Sequence, residues 1–195
     1  DMNEVDVAMS ILLQRTNDIV LMQCNTNYTA SLGNFKYINL NVLKEYSRKY
    51  PDCVLGLSDH TPGHATVLGA VALGARVIEK HFTNNTNREG PDHKFSMDFN
   101  SWRNMVNRTR ELENALGSST KRVEFNEKET VILQRRSIRT KKDLVIGDQI
   151  HENDIEFLRP CPEDALPPYE LEKILNRELA EDIKSGDYLK WTSIK

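Results

Sequence analysis

The sequence predicts an α/β fold followed by a small β-rich domain. Three short apolar runs rich in branched side chains alternate with segments of helical periodicity, which is typical of strands buried in a parallel sheet. Further along, an Asp-aliphatic-x-x-Gly-Asp pattern occurs at residues 143–150 and again at 182–189. A repeated pattern with a Gly-Asp turn indicates strand-turn-strand units. We therefore predict two domains of different architecture.

The first domain is predicted to alternate helices and strands. Its strands are expected at residues 19–24, 54–57 and 77–82. Its helices are expected at residues 5–13, 40–47, 64–74 and 101–116, the last one ending at Gly117. This order is that of an α/β fold with right-handed crossovers. It also puts polar residues after each strand, at the sheet edge where open α/β sheets and barrels carry their active sites.

The predicted domain boundaries are 1–117 for the first domain, 118–134 for a linker and 135–195 for the second domain. The linker is indicated by the charged stretch from 118 to 128. The second domain holds the repeat, in which Asp143 recurs as Asp182, 39 residues later. So small a domain has a thin core, and we expect it to lean on another surface.

The composition excludes several classes of protein. Charged residues make up 28% of the chain and the formal net charge is −3, so we expect no nucleic-acid partner and no attraction to a membrane surface. No apolar run approaches the ~20 residues that span a bilayer, and the first residues lack the features of a signal peptide. The three cysteines show no C-x-x-C spacing, so we expect reduced thiols in a soluble, cytoplasmic protein.

Two histidines are the strongest candidates for chemistry. His60 and His81 are expected at the ends of adjacent parallel strands, which lie about 4.8 Å apart. Two imidazoles at that separation can share a metal ion and leave other positions to water or substrate. The competing interpretation is two histidines satisfied by hydrogen bonds, because a pair without a third fixed ligand is a weak signal.

Three further residues have a functional and a structural interpretation. Asp59 suits a third metal ligand or a hydrogen-bond partner that orients a ligand, but a capping or orienting role is favoured because Asp before a helix is usually an N-cap. Asp92 follows Gly90-Pro91 and is suited to binding a sugar hydroxyl, although residues alone favour a surface turn. Tyr28 is suited to stacking in a pocket, although an isolated Tyr after a strand usually packs.

The order and spacing of several motifs are more specific than any one of them. The motifs are Gln23-Cys24-x-x-x-Tyr28, Gly56-x-Ser58-Asp59-His60-Thr61, Ala70-Val71-Ala72-Leu73-Gly74-Ala75, Val77-Ile78-Glu79-Lys80-His81-Phe82-Thr83 and Gly90-Pro91-Asp92-His93. Together they closely resemble the sialic acid (N-acetylneuraminate) synthase family. Through Arg135-Arg136-Ser137 and Arg159-Pro160 the resemblance extends into the second domain, which is similar to the antifreeze-like (SAF) domain of these enzymes.

The resemblance implies the C-terminal part of a (β/α)8 TIM barrel, with about three of its strands, followed by an SAF domain. It implies that His60 and His81 hold a divalent metal ion, typically manganese, with magnesium or cobalt as alternatives. Ser58 matches a residue that contacts phosphoenolpyruvate. Thr26 aligns where some members have an Asn that contacts the same substrate.

The resemblance also assigns the amino-sugar site and a partner. Tyr28 and Asp92 match residues that bind the amino sugar, and Asp92 joins His60 and His81 in the implied catalytic set. Arg159 matches an arginine that the SAF domain of one protomer inserts into the active site of the other. A domain-swapped homodimer is therefore implied for the full-length enzyme.

The implied activity is that of a transferase in carbohydrate biosynthesis. Such an enzyme condenses phosphoenolpyruvate with an N-acylated amino sugar, N-acetylmannosamine or a related bacillosamine-type sugar, to give a nine-carbon 2-keto acid and phosphate. The motifs are common to synthases of neuraminic, legionaminic and pseudaminic acids. Since three strands cannot close an eight-stranded barrel, we expect this chain to be part of a longer enzyme and inactive alone.

Two other classes of function stay open from the sequence. One is a non-catalytic module in which the SAF domain binds sugar or drives dimerisation. The other, a metal hydrolase, has less support because no third strong ligand or activated nucleophile accompanies the histidines.

Overall fold

The computed structural model describes residues 1–195, which form two compact units. We call Asp1–Ser118 unit 1 and Ser119–Lys195 unit 2. None of the helices combines the length and the apolar character needed to cross a lipid bilayer.

Unit 1 is an α/β unit built on a parallel sheet. Its helices are α1 (Met2–Leu12), α2 (Val42–Lys49), α3 (Ala65–Ala72) and α4 (Phe99–Leu116), together with a 3-10 helix at Leu32–Tyr37. Its strands are β1 (Val20–Cys24), β2 (Val54–Asp59) and β3 (Val77–Lys80), in the spatial order β1-β2-β3. All three strands run parallel, so their carboxyl ends meet at one edge of the sheet.

One face of this sheet is covered by helices. Leu55 and Leu57 of β2 are buried and belong to the same apolar cluster as Leu43 of α2 and Ala70 of α3. The α2 and α3 helices therefore bury this face, which anchors the central strand β2. A second cluster joins α3 to α4 and consists of Val67, Met97 and Met105.

The opposite face of the sheet carries a polar row at its carboxyl edge. Cys24 of β1 is in register with Ser58 of β2, and Ser58 is in register with Glu79 of β3. Because side chains alternate along a strand, Asp59 and Lys80 point to the helix-covered face, and both are buried. We call the face with Cys24, Ser58 and Glu79 the inner face.

The predicted strands and helices of unit 1 are confirmed, and the boundaries differ where capping decides them. The first helix begins at Met2 because the Asp1 side chain accepts hydrogen bonds from the amides of Asn3 and Glu4. The α4 helix begins at Phe99, two residues earlier than expected, because Asp98 and Ser101 form a reciprocal capping box. The third strand ends at Lys80, so His81 follows the strand and does not belong to it.

Unit 2 is small and irregular. Its helices are α5 (Lys128–Gln134) and α6 (Leu171–Ile174), and its strands are β4 (Ser137–Thr140) and β5 (Ile155–Leu158), which pair antiparallel. Short 3-10 turns lie at Phe125–Glu127, Glu152–Asp154, Pro168–Glu170 and Trp191–Ser193. The core is a single aliphatic cluster of Ile138, Leu144, Ile150, Ile155, Leu166, Ile174, Leu179, Ile183 and Leu189.

The two copies of the repeat pair with each other. Gly147 and Gly186 have positive φ angles of 91° and 89°, as the predicted turns require. The backbone pairing runs between the two copies, because Leu144 exchanges both backbone hydrogen bonds with Ile183 of the other copy. Residues 128–134, within the stretch interpreted as linker, form α5.

Candidate functional site

The sheet brings the two candidate metal ligands together. His60 and His81 are the first residues after β2 and β3, and their ring centroids lie 5.0 Å apart with an interplanar angle of 64°. His60 is 4% exposed, whereas the side chain of His81 is 28% exposed. The rings therefore share one small volume at the carboxyl edge of the sheet.

A backbone carbonyl fixes the orientation and tautomer of His60. Its Nδ1 lies 2.9 Å from the carbonyl oxygen of Asn25, in the loop after β1. Because a carbonyl only accepts hydrogen bonds, Nδ1 must carry a proton, and Nε2 of the neutral ring then keeps its lone pair. Metal-binding histidines are usually oriented in this way, with the ring nitrogen that does not bind the metal donating to a carbonyl or carboxylate oxygen.

Asp92 lies beside the second histidine. One of its carboxylate oxygens, Oδ2, is 3.5 Å from Nδ1 of His81, and its side chain is 45% exposed. Its own carbonyl oxygen accepts hydrogen bonds from the amide and the hydroxyl of Ser96 at 3.1 and 2.6 Å. The same loop is tied back by His93, whose Nδ1 lies 2.8 Å from the Thr83 hydroxyl. The loop therefore presents a partly exposed carboxylate to the histidine pair.

Two aromatic rings complete a four-ring cluster. The Tyr28 ring lies 4.1 Å from the ring of His60 and 5.5 Å from that of His81, and Tyr28 is 54% exposed. Phe95 is buried, and its ring lies 5.1 Å from that of His81. Tyr28 therefore contacts the histidines and remains open to solvent, while Phe95 supports the pair from the protein side.

Ser58 lies on the inner face, two residues before His60. Its hydroxyl donates a hydrogen bond of 2.7 Å to Glu79 Oε1 on the neighbouring strand. Cys24, the third member of the polar row, is exposed. The inner face at the carboxyl edge thus offers a hydroxyl, a carboxylate and a thiol.

Of the two roles favoured for Asp59, capping is wrong, and the orienting role stays a prediction. Residue His64 takes the N-cap position of α3, and Asp59 is the last residue of β2. The Asp59 carboxylate instead forms a buried ion pair with Lys80, with 2.6 Å between Oδ2 and Nζ. It faces the helix side of the sheet, because it continues the alternation of Leu55 and Leu57, which are buried on that side.

The remaining sequence candidates lie in exposed segments. Thr26 is exposed in the loop after β1, in the same loop as Asn25 and Tyr28. Arg159 belongs to unit 2, where it is exposed and its Nε donates a hydrogen bond of 2.7 Å to the carbonyl of Gln134.

The donor set suits an open metal site. Two imidazoles converge, one with its Nε2 available, and no group of three His, Cys, Asp or Glu residues able to hold a metal ion is formed. Closed structural zinc sites need four protein ligands, so that class does not fit. A divalent ion that keeps water or substrate oxygens in its remaining positions does fit these residues.

Sequence reasoning missed several residues of the site. Glu79 has no role in the sequence prediction, although strand alternation puts its side chain on the same face as Ser58. Phe95 gave no signal, since it lies in a loop and only the folded chain brings it to the rings. Lys80 is the one buried residue of β3, and a buried charge requires a partner.

Comparison with known proteins identifies the family. Residues 1–121 match the model of the NeuB family, and residues 135–195 match that of the SAF domain. The first match alone spans more than half of the chain. The chain belongs to the NeuB family. The predicted resemblance to sialic acid synthases and the predicted fold class, the C-terminal part of a (β/α)8 barrel followed by an SAF domain, are both confirmed.

Individual members of the NeuB family show how far the similarity extends. The chain is 36% identical over its whole length to N,N'-diacetyllegionaminic acid synthase of Legionella pneumophila subsp. pneumophila, covering 54% of that protein. It is 35% identical to pseudaminic acid synthase of Campylobacter jejuni subsp. jejuni, with 91% of this chain and 50% of that protein aligned. The crystal structure of the spore coat polysaccharide biosynthesis protein SpsE of Bacillus subtilis superposes with a TM-score of 0.53 at 30% identity, covering all of this chain and 58% of that one.

The chain therefore spans about half the length of the curated relatives it matches. One of those relatives is named as a synthase of N,N'-diacetyllegionaminic acid and the other as a synthase of pseudaminic acid.

Proposed function

We propose that this chain is the carboxyl-terminal part of a nonulosonic acid synthase, which condenses phosphoenolpyruvate with an N-acylated amino sugar. The observation that carries the proposal is the convergence of His60 and His81, 5.0 Å apart, at the carboxyl edge of a parallel sheet in a NeuB-family chain. The N-acyl sugar is N-acetylmannosamine or a related bacillosamine-type sugar. The names of both relatives support this class of product.

His60 and His81 would hold the divalent ion, and we propose manganese, with magnesium and cobalt as alternatives. A divalent ion bound there would supply Lewis-acid polarisation of the aldehyde oxygen of the open-chain sugar. The hydrogen bond from His60 Nδ1 to the Asn25 carbonyl keeps that ring in the tautomer with a free Nε2.

We propose that Ser58 contacts phosphoenolpyruvate, and its hydrogen bond to Glu79 sets a condition on that contact. The Ser58 hydroxyl has one proton, which is engaged by Glu79. Because phosphate and carboxylate oxygens only accept hydrogen bonds, the hydroxyl has to turn away from Glu79 to donate to the substrate. Thr26, exposed in the loop after β1, is a second candidate for this contact.

We propose that Asp92 and Tyr28 bind the amino sugar. A carboxylate that is 45% exposed and lies beside His81 can accept hydrogen bonds from sugar hydroxyls. The exposed ring of Tyr28 offers an apolar face against the histidines. With the aldehyde carbon held there, carbon 3 of phosphoenolpyruvate attacks it, water adds at carbon 2, and phosphate leaves by C–O cleavage.

Two broader features belong to the same proposal. We infer a homodimer in the longer enzyme, in which the exposed Arg159 of unit 2 reaches the site of the other protomer. A cytoplasmic location is consistent with three cysteines that are all free in the structure, as in a reducing compartment.

Titration with manganese tests the metal site directly. We expect the 195-residue chain to bind Mn²⁺ in isothermal titration, and His60→Ala or His81→Ala to abolish binding because each change removes one of two ligands. His151→Ala is the matched control, since His151 is an exposed residue of unit 2. If both His60→Ala and His81→Ala bind Mn²⁺ as tightly as the unchanged chain, the proposal loses its basis.

Phosphate release tests the activity. The sheet has three strands with β1 and β3 each paired on one side only, so the chain alone should release no phosphate from phosphoenolpyruvate plus N-acetylmannosamine and Mn²⁺. A chain that also carries the remaining barrel segments should release it. If neither His60→Ala nor His81→Ala affects metal binding or turnover, while self-association persists, the non-catalytic SAF module is the better description.

A further inference from the structure

A buried ion pair lies directly behind the two histidines. Nζ of Lys80 is 2.6 Å from Oδ2 of Asp59, and the two side chains are 1% and 0% exposed. Asp59 and Lys80 are register partners across β2 and β3, and each immediately precedes one of the histidines. No other ion pair in the chain has both side chains buried to this degree.

Hydrogen bonds satisfy the pair on every side. The Asp59 carboxylate accepts from the Thr61 amide at 3.1 Å, the Thr61 hydroxyl at 2.9 Å and the Thr66 hydroxyl at 2.6 Å. Lys80 Nζ also donates to the carbonyl oxygen of Thr61 at 2.6 Å. A single ammonium group is thus bound to the residue before His60 and to the residue after it.

The second histidine is held in a similar way. Lys80 is its neighbour in the chain, and the carbonyl of His81 accepts a hydrogen bond of 2.8 Å from the Met97 amide. The backbone of both histidines is therefore fixed on both sides, and the Asp59–Lys80 pair is the direct link between the two fixed points.

Stability alone does not account for two charges at this place. Desolvating an ion pair costs about as much as the attraction returns, and well-packed apolar residues often stabilise a protein as well or better. A buried ion pair instead favours one conformation, because its hydrogen bonds are satisfied in that conformation only.

We propose that Asp59 and Lys80 are positioning residues, which hold the ends of β2 and β3 so that the rings of His60 and His81 converge. This inference rests on the proposed function in that the converging rings are taken as the metal site. Neither side chain touches the metal position, since both lie on the helix-covered face of the sheet.

The test removes both charges together. In the double variant Asp59→Asn/Lys80→Met, no unpaired charge is left buried, so we expect a folded chain whose Mn²⁺ affinity is about 10- to 100-fold weaker, the usual effect of losing an outer-shell partner. The matched control is Asp6→Asn/Lys49→Met, which removes the ion pair between α1 and the last residue of α2 and should leave Mn²⁺ affinity unchanged.

A second measurement reads the ring positions without metal. In the metal-free chain, nuclear Overhauser contacts between the ring protons of His60 and His81 are expected, since the centroids are 5.0 Å apart. The double variant at Asp59 and Lys80 should weaken or lose them, and the control at Asp6 and Lys49 should keep them. If the pair served folding alone, a variant with a normal cooperative melting transition would keep both its Mn²⁺ affinity and its ring contacts.

The outcomes separate the two proposals. Wild-type affinity and wild-type ring contacts in the folded double variant overturn the positioning role. If the wild-type chain binds no Mn²⁺, the proposed function fails, and the ring contacts still decide the positioning role. If that double variant does not fold, Asp59→Asn/Lys80→Gln replaces it, because this change also removes both charges and keeps polar groups beside Thr61 and Thr66. Unchanged ring contacts and affinity in the folded replacement would then overturn the inference.

Discussion

Gly56 occupies a position in β2 where the sheet has no room for a side chain. It is in register with Met22 of β1 and Val77 of β3. A Cβ atom added there would lie 2.8 Å from Met22 Cγ and 2.9 Å from the backbone oxygen of Val77. The methionine can change rotamer, but a backbone oxygen of the adjacent strand cannot, so Gly56→Ala has to displace β3. Overpacking of this kind costs about 1–3 kcal/mol.

The expected effect on melting follows from the size of unit 1. With an unfolding entropy of about 2.1 cal/mol/K per residue, a unit of about 120 residues has about 0.25 kcal/mol/K, so the loss corresponds to a fall in Tm of about 4–12 °C. Trp102 lies in unit 1 and Trp191 in unit 2, so a Trp191→Phe background makes Trp102 fluorescence report on unit 1 alone. Thermal unfolding followed at that residue measures the shift.

The same substitution at a roomier glycine is the control. At Gly33 an added Cβ would meet only Ser31 Oγ, at an ordinary 3.4 Å, so Gly33→Ala should leave Tm unchanged or raise it slightly. A Gly56→Ala chain that melts at or above the Gly33→Ala chain would show that β3 accommodates the methyl group and that the reasoning about strand displacement is wrong.

Two further predictions concern single side chains. Hydrogen bonds from the hydroxyl and amide of Ser101 hold the pKa of Asp98 below its ordinary value. Because the pKa is lower in the folded chain, the cap contributes its full stability above the ordinary aspartate pKa. That stability is lost as the pH falls through the lowered pKa. Amide exchange at Ser101 should therefore stay protected into mild acid and lose protection in Asp98→Ala at any pH, and equal exchange in both chains would contradict the cap. Burial, together with the charge of Asp52, raises the pKa of the Cys53 thiol. Near neutral pH, iodoacetamide should therefore alkylate Cys53 more slowly than the exposed Cys24, and the rate at Cys53 should increase as the pH rises. Mass spectrometry that finds Cys53 modified first would refute this.

The alternation of strands and helices in unit 1 could be predicted because its signals are local. Branched apolar runs mark β1, β2 and β3, and the small residues of α3 mark a helix that approaches a sheet closely. The meeting of His60 and His81 was also predictable, because parallel strands place their carboxyl ends at the same edge. Helix starts were less predictable, since Asp1 and Asp98 move them by two or three residues through capping hydrogen bonds.

The parts that escaped prediction depend on contacts between distant segments. Phe95 lies in a loop, and its place against the His81 ring depends on how that loop folds back. The sequence alone leaves Asp59 a capping or an orienting role, because it shows the helix that follows and does not show Lys80 beside Asp59 on the next strand. The repeat in unit 2 was recognised, but a local pattern does not distinguish pairing within a copy from pairing between copies.

The pairing between the two repeat copies of unit 2 is reciprocal. The Asp143 carboxylate accepts a hydrogen bond from the Ser185 amide, and Asp182, its counterpart, accepts one from the Ile146 amide, which is the counterpart of Ser185. Each half thus supplies the acceptors that the other half lacks. A single half would meet its missing partners only in another copy of itself, so the small domain has the geometry of a two-fold dimer whose subunits have been fused into one polypeptide.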